Sequence, residues 1–263
     1  MTALSTPSSV PSPATSEAPA EAPPVPVRIL VVQHEDGTDI RRFGTWLEDA
    51  GAVLRIVRPD RGEEIPDSST YDALVVLGGQ ANALEDEANP WFPEVRGLLA
   101  RSADGEFPSF NICLGAQMLA AAAGGEVSRI EAPQVGAFDV AARTEATTDP
   151  VFSALPDGDP VPTVLFHQDH FTLPAGARHL MDGSAAPHQA FRIGEAWGTQ
   201  FHPESDPALV AHWSALTPDL EDWADVTADA VEGQTAAVQQ GMEDAFRPVA
   251  EAFVAHVRER LSA

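Results

Sequence analysis

A single cysteine, Cys113, lies in the run Phe110-Asn111-Ile112-Cys113-Leu114-Gly115-Ala116-Gln117, where an apolar stretch passes through one glycine into an alanine-rich stretch. A sharp turn from buried strand to helix can present a nucleophile, and a helix N-terminus favours the thiolate that attacks. Far downstream, Trp197-Gly198-Thr199-Gln200-Phe201 ends in His202-Pro203-Glu204. Pro203 restricts His202 to an extended backbone. Glu204 is placed to accept a hydrogen bond from the ring nitrogen turned away from a thiol, which would set tautomer and orientation. A Cys, a His and a Glu are the parts of an acyl-transfer site. Taken singly, each has a plainer explanation: a lone cysteine in an apolar strand is most often a small buried hydrophobe, and His-Pro-Glu can be a surface turn before a helix. Gly78-Gly79 follows another apolar run; glycine permits backbone conformations closed to other residues and lets N–H groups approach a ligand. The N–H groups of Gly79 and Leu114 are therefore the candidate donors for an oxyanion, although a Gly-Gly pair can equally be a tight turn.

The elements that must position these residues follow a strand–helix rhythm. Residues 27–33 are a β-branched run that predicts a buried strand, and 34–37 a turn. Ile40, Phe43, Trp46, Leu47 and Ala50 fall at helical spacing and stop at Gly51, a helix C-cap. Strands are predicted over 52–57, 71–77 and 108–113, and helices over 91–101 and 114–123. Such alternation predicts a mostly parallel sheet covered on both faces, with ligands bound beyond the carboxyl ends of the strands, where Gly79 and Cys113 fall. From residue 125 the runs shorten, and 126–130, 135–142, 163–166, 179–181, 189–193 and 195–201 read as antiparallel strands, with 192–195 as a hairpin turn. Helices follow over 207–216, 219–231 and 234–261. The last carries Val238, Met242, Phe246, Val249, Phe253 and Val257 at helical spacing and should be kinked or restarted by Pro248. Residues 1–26, rich in Pro, Ala, Ser and Thr, lack the basic start and apolar core of a signal peptide and read as a disordered tail.

Composition narrows the function classes. With 40 acidic against 15 basic residues and a formal charge of -25, the surface repels phosphate backbones and anionic membranes, so nucleic-acid binding is not expected. No stretch approaches the roughly 18 consecutive apolar residues of a membrane helix. One cysteine cannot form an internal disulfide, which suits a reducing, cytoplasmic setting. Every basic residue is Arg, and no Gly-rich phosphate loop is followed by Lys.

Together, Leu77-Gly78-Gly79-Gln80, the cysteine run, and the run ending in His202-Pro203-Glu204 resemble the class I (triad) glutamine amidotransferase family. His167-Gln168-Asp169-His170 resembles the His-x-Asp element of its stand-alone, GMP-synthetase-like members. The resemblance implies an α/β fold, a flavodoxin-like three-layer, mostly parallel sheet with helices on both faces and a small antiparallel sheet, here followed by C-terminal helices. It implies a catalytic domain over 27–212, with 213–263 a helical extension. It also implies that Cys113 attacks the side-chain amide of glutamine, His202 shuttles the proton to departing ammonia and Glu204 orients His202, while Gly79 and Leu114 form the oxyanion hole. Gln117, Gly78, His167 and Asp169 would contact substrate, with Asp169 meeting its α-ammonium. No cofactor or metal is implied. Any ammonia acceptor site would belong to a separate synthetase partner. The alternatives are a γ-glutamyl hydrolase acting on γ-glutamyl amines or peptides, and a noncatalytic regulatory module with a vestigial site. Two positions depart from the family pattern: Asn111 and Gln168 stand where Gly is usual, and both are expected to alter pocket shape or access.

Overall fold

The computed structural model describes residues 25–156, 160–184 and 186–263; the tail expected over 1–26 falls, except for its last two residues, outside them. Among the described residues nine strands form one sheet in the order β2-β1-β3-β4-β9-β8-β7-β5-β6. The strands are β1 (Val27–Val32), β2 (Ala52–Val57), β3 (Ala73–Val76), β4 (Ser109–Ile112), β5 (Val127–Ala142), β6 (Val161–Phe171), β7 (Arg178–Asp182), β8 (His188–Ile193) and β9 (Ala196–Thr199). From β2 to β9 every pairing is parallel; from β9 onward every pairing is antiparallel. The parallel half thus has the 2-1-3-4-5 order of flavodoxin-like sheets, and the antiparallel strands continue its edge. The helices are α1 (Arg41–Asp49), α2 (Phe92–Ala103), α3 (Leu114–Ala122), α4 (Pro207–Ala215), α5 (Leu220–Ala224) and α6 (Ala228–Ser262).

The apolar runs of β1, β3 and β4 are continuous because both faces of the sheet are covered. On one face Val27, Ile29, Val31, Val75 and Phe110 meet Phe43 and Leu47 of α1 together with Phe246, Val249 and Phe253 of α6. On the other, Leu30, Val32, Leu74 and Val76 meet Val95 and Leu99 of α2 and Met118 and Leu119 of α3. The period of two along each strand therefore divides the core into two layers.

Three expectations need correction. The runs 126–130 and 135–142 are one strand, β5, whose register against β6 shifts between Arg129 and Gln134; the irregularity breaks the alternation that would have marked it as continuous. The strand expected over 163–166 runs on through the polar residues His167 to His170 as the second half of β6, because Gln134 and Arg129 of β5 pair with His167 and Asp169. Residues 219–231 are not one helix. Asp225 adopts a left-handed conformation that ends α5, and Thr227 caps α6 by accepting a hydrogen bond from the N–H of Ala230. Helix α6 then runs on for 35 residues through Pro248 without restarting.

Candidate active site

Cys113 occupies the one-residue elbow between β4 and α3. Its backbone has φ 49 and ψ -104, a conformation costing an L-residue on the order of 1–3 kcal/mol and held only where the surroundings impose it. They do so here: the Cys113 N–H donates to the Thr199 carbonyl at 2.7 Å and its carbonyl accepts from the Gln117 N–H at 2.9 Å. Gly115 lets α3 descend onto the sheet, since a Cβ there would lie 2.4 Å from the Val76 carbonyl oxygen. The thiol is almost fully buried and receives a hydrogen bond from Nε2 of buried Gln200 at 3.6 Å.

His202 follows β9, and its N–H donates to the Val164 carbonyl of β6 at 2.9 Å. Its Nδ1–H donates to Glu204 Oε1 at 2.7 Å with both side chains buried. Nε2 is buried with no hydrogen-bond partner among the described residues and is the nitrogen available to the Cys113 sulfur. Burial opposes charge on this imidazole, but Glu204 and then Cys113 outweigh it and push the pKa up to about 10. An imidazolium at neutral pH stabilises negative charge on a neighbouring sulfur and has a proton to give a leaving nitrogen.

Gly78 and Gly79 are needed for space rather than for unusual dihedrals, as neither has positive φ. A Cβ on Gly78 would lie 3.1 Å from Cε1 of His202, and one on Gly79 would lie 2.8 Å from Cδ2 of Leu114. Gly79 thus packs against the Leu114 side chain, and Leu114 opens α3, where first-turn N–H groups lack intrahelical acceptors. The loop after Gly79 is fixed by Glu35 Oε1, which accepts from the Gln80 N–H at 2.7 Å.

A cavity of about 300 Å³ opens onto Cys113 and His202. Of the residues expected to contact substrate, Gln117, His167 and Asp169 line it, as does Gly79 of the expected oxyanion hole, whereas Gly78, close against His202, does not. Gln117 Nε2 donates to the Asp169 carbonyl at 2.8 Å. His167 Nδ1–H donates to the same carbonyl at 3.0 Å; burial drives the His167 pKa down to about 3, so Nε2 carries a lone pair, buried and without a partner. The Asp169 carboxylate is held by Arg129 Nε at 3.0 Å and Asn82 Nδ2 at 2.9 Å. Of the two departures from the family pattern, Asn111 stays outside the cavity, tying β4 to the Trp197 carbonyl of β9. Gln168 lines it and accepts from Trp223 Nε1 at 2.9 Å.

The sequence reading missed Glu35, Arg129, Trp213 and Trp223 in the lining and Gln200 at the sulfur. Gln200 could have been found, because it sits two residues before His202 on the same apolar run. The others reach the cavity only through long-range packing. Among the described residues no group of three or more His, Cys, Asp or Glu side chains is placed to hold a metal ion, and no helix is long and apolar enough to cross a membrane.

Known proteins share this fold. A glutamine amidotransferase of Thermotoga maritima superposes with a TM-score of 0.77 over 87% of this chain and 98% of that one, at 23% identity, a likeness of fold. The GMP synthase of Porphyromonas gingivalis is 32% identical over 162 residues, 60% of this chain but only 28% of that enzyme. One subunit of the glutamine-hydrolysing GMP synthase of Sulfurisphaera tokodaii is 29% identical over 60% of this chain and 79% of its own length. The sequence model of the family described as glutamine amidotransferase class-I matches residues 45–211. That match runs from inside α1 to inside α4, more than half of the chain, and on that extent the protein belongs to the class I glutamine amidotransferase family.

Proposed function

We propose that the protein cleaves the side-chain amide of glutamine or of a γ-glutamyl amide through a thioester on Cys113. Sγ attacks the amide carbon, and the resulting oxyanion lies against the N–H groups of Gly79 and Leu114. The C–N bond breaks as His202 gives its proton to the departing nitrogen, while Glu204 holds the ring in orientation. Water, deprotonated by His202, then attacks the thioester; glutamate leaves and the cysteine is restored. Asp169 and Arg129 suit the α-ammonium and α-carboxylate of the glutamyl group, and Gln117 fixes the Asp169 backbone carbonyl. The observation that carries this reading is the strained Cys113 elbow beside a buried His202–Glu204 pair at one cavity.

Ammonia released from glutamine would pass to a synthetase on a separate chain, a reading supported by the likeness to one subunit of a GMP synthase. Incubation with a diazoketone analogue of glutamine should label Cys113 alone, read by intact mass, and amide cleavage should accompany it. Cys113→Ser should lower turnover by about 10³-fold or more and abolish labelling. A serine variant with unchanged turnover would sink the proposal.

A further inference from the structure

We propose that the cavity beyond Cys113 is a leaving-group subsite for an alkylamine bearing a second, positive charge, making the preferred substrate a γ-glutamyl derivative of an aliphatic diamine. The inference rests on the reading of Cys113 as the nucleophile. The leaving nitrogen takes its proton from His202, so it departs on the His202 side. There the wall is aromatic: the Trp213 ring lies 4.6 Å from that of His202, and Phe166 packs against Trp213 at 5.6 Å and Trp223 at 6.1 Å. All three line the cavity. Both indole N–H groups are spent inside the protein, Trp213 on the Gly37 carbonyl at 2.7 Å and Trp223 on Gln168. What the rings offer a ligand is therefore π-surface, which attracts cations.

The charges around this wall have the matching sign. Asp219 lines the cavity and makes no capping hydrogen bond. Glu35 lines it with Oε1 on the Gln80 N–H and no protein partner for Oε2 among the described residues. Asp36 also lines it but is neutralised by Arg58 and Arg61. Of the two positive groups in the lining, Arg129 is already paired with Asp169, and the His202 imidazolium is paired with Glu204 and gives up its proton to the leaving nitrogen. The buried, unpartnered Nε2 of His167 is a second pointer, since its lone pair calls for a ligand N–H. Ammonia as a leaving group requires none of these features.

Much of the wall lies outside the family match. Trp213, Thr217, Asp219 and Trp223 all fall beyond the family match at 45–211, and Trp223 is held by Gln168, a position where the family pattern leads one to expect Gly. The cleavage balances as γ-glutamyl amide plus water giving glutamate plus the diamine.

The test compares the full chain on three substrates: glutamine, the mono-γ-glutamyl amide of 1,4-diaminobutane, and its neutral isostere, the γ-glutamyl amide of pentylamine. The cationic amide should exceed the isostere by about tenfold or more in kcat/KM. Asp219→Asn and Trp223→Leu should each cut that ratio several-fold, mainly through KM, and Trp223→Phe should restore part of it. Equal turnover of the two amides, with Cys113 still labelled by the diazoketone, would overturn the subsite and spare the thioester chemistry. Wild-type selectivity that neither variant reduces would overturn its assignment to this wall. Absence of labelling and of turnover on all three substrates would overturn both readings.

Discussion

His202 is buried, and burial alone would keep an imidazole neutral; Glu204 at 2.7 Å and the Cys113 sulfur reverse that and raise the pKa to about 10. Because the folded value lies above the unfolded one near 6.5, this group's stabilisation is fully present below about pH 6.5 and is lost as pH rises through about 10. The same carboxylate sets the working range of the acid. Glu204→Gln keeps the shape but removes the largest of the raising influences, so burial prevails and the pKa falls. We expect the alkaline limb of the kcat/KM profile to move to lower pH, with a loss of about 10²-fold or more at neutral pH. An unmoved limb would mean that His202 is not the titrating acid. These three residues were legible in the sequence because each sits within a local signature: a glycine elbow, a strand end, a proline that fixes direction. Asp169 was legible as a candidate, but its ion pair with Arg129 was not, since it depends on the β5–β6 register across the irregularity.

At the scale of elements, the site depends on how closely α3 approaches β3. Gly115 is the contact point, and an added Cβ would stand 2.4 Å from a backbone oxygen of Val76, an atom that cannot rotate away. Gly115→Ala should therefore shift α3 and with it the Cys113 elbow, costing about 1–3 kcal/mol of stability and, through misplacement of the thiol, about 10²-fold in turnover. Thermal unfolding together with the rate of Cys113 labelling checks this; a variant with wild-type Tm and labelling would show that the elbow does not rest on that contact. The parallel βα units were legible because each strand is a continuous apolar run and each helix has one apolar stripe. The α4–α6 region was less so. Its breaks come from single residues, the left-handed Asp225 and the Thr227 cap, embedded in sequence that is amphipathic throughout, and the reach of Trp223 over the cavity depends on Gln168 from a distant strand.

For the whole molecule, acid is the condition under which several of these features fail together. His34 is buried, with Nδ1 accepting from Trp91 Nε1 at 3.1 Å, and burial drives its pKa down to about 4; His167 is driven to about 3 in the same way. Both lie below the unfolded value near 6.5, so the stability they contribute is fully present above that pH. As pH falls the unfolded chain binds protons that the folded one refuses, at about 1.4 kcal/mol per pH unit for each histidine, until the folded values are reached. Carboxylates held below their ordinary range by arginines, such as Asp36 and Asp86, begin to lose their pairs only below about pH 4. The order of events is thus set: Tm should begin to fall below about pH 6.5, well before the surface ion pairs are protonated. His34→Gln, which keeps an acceptor for Trp91 but cannot titrate, should lower Tm at neutral pH yet flatten its slope between pH 6 and 4. An unchanged slope in that variant would assign the acid sensitivity to the carboxylates instead.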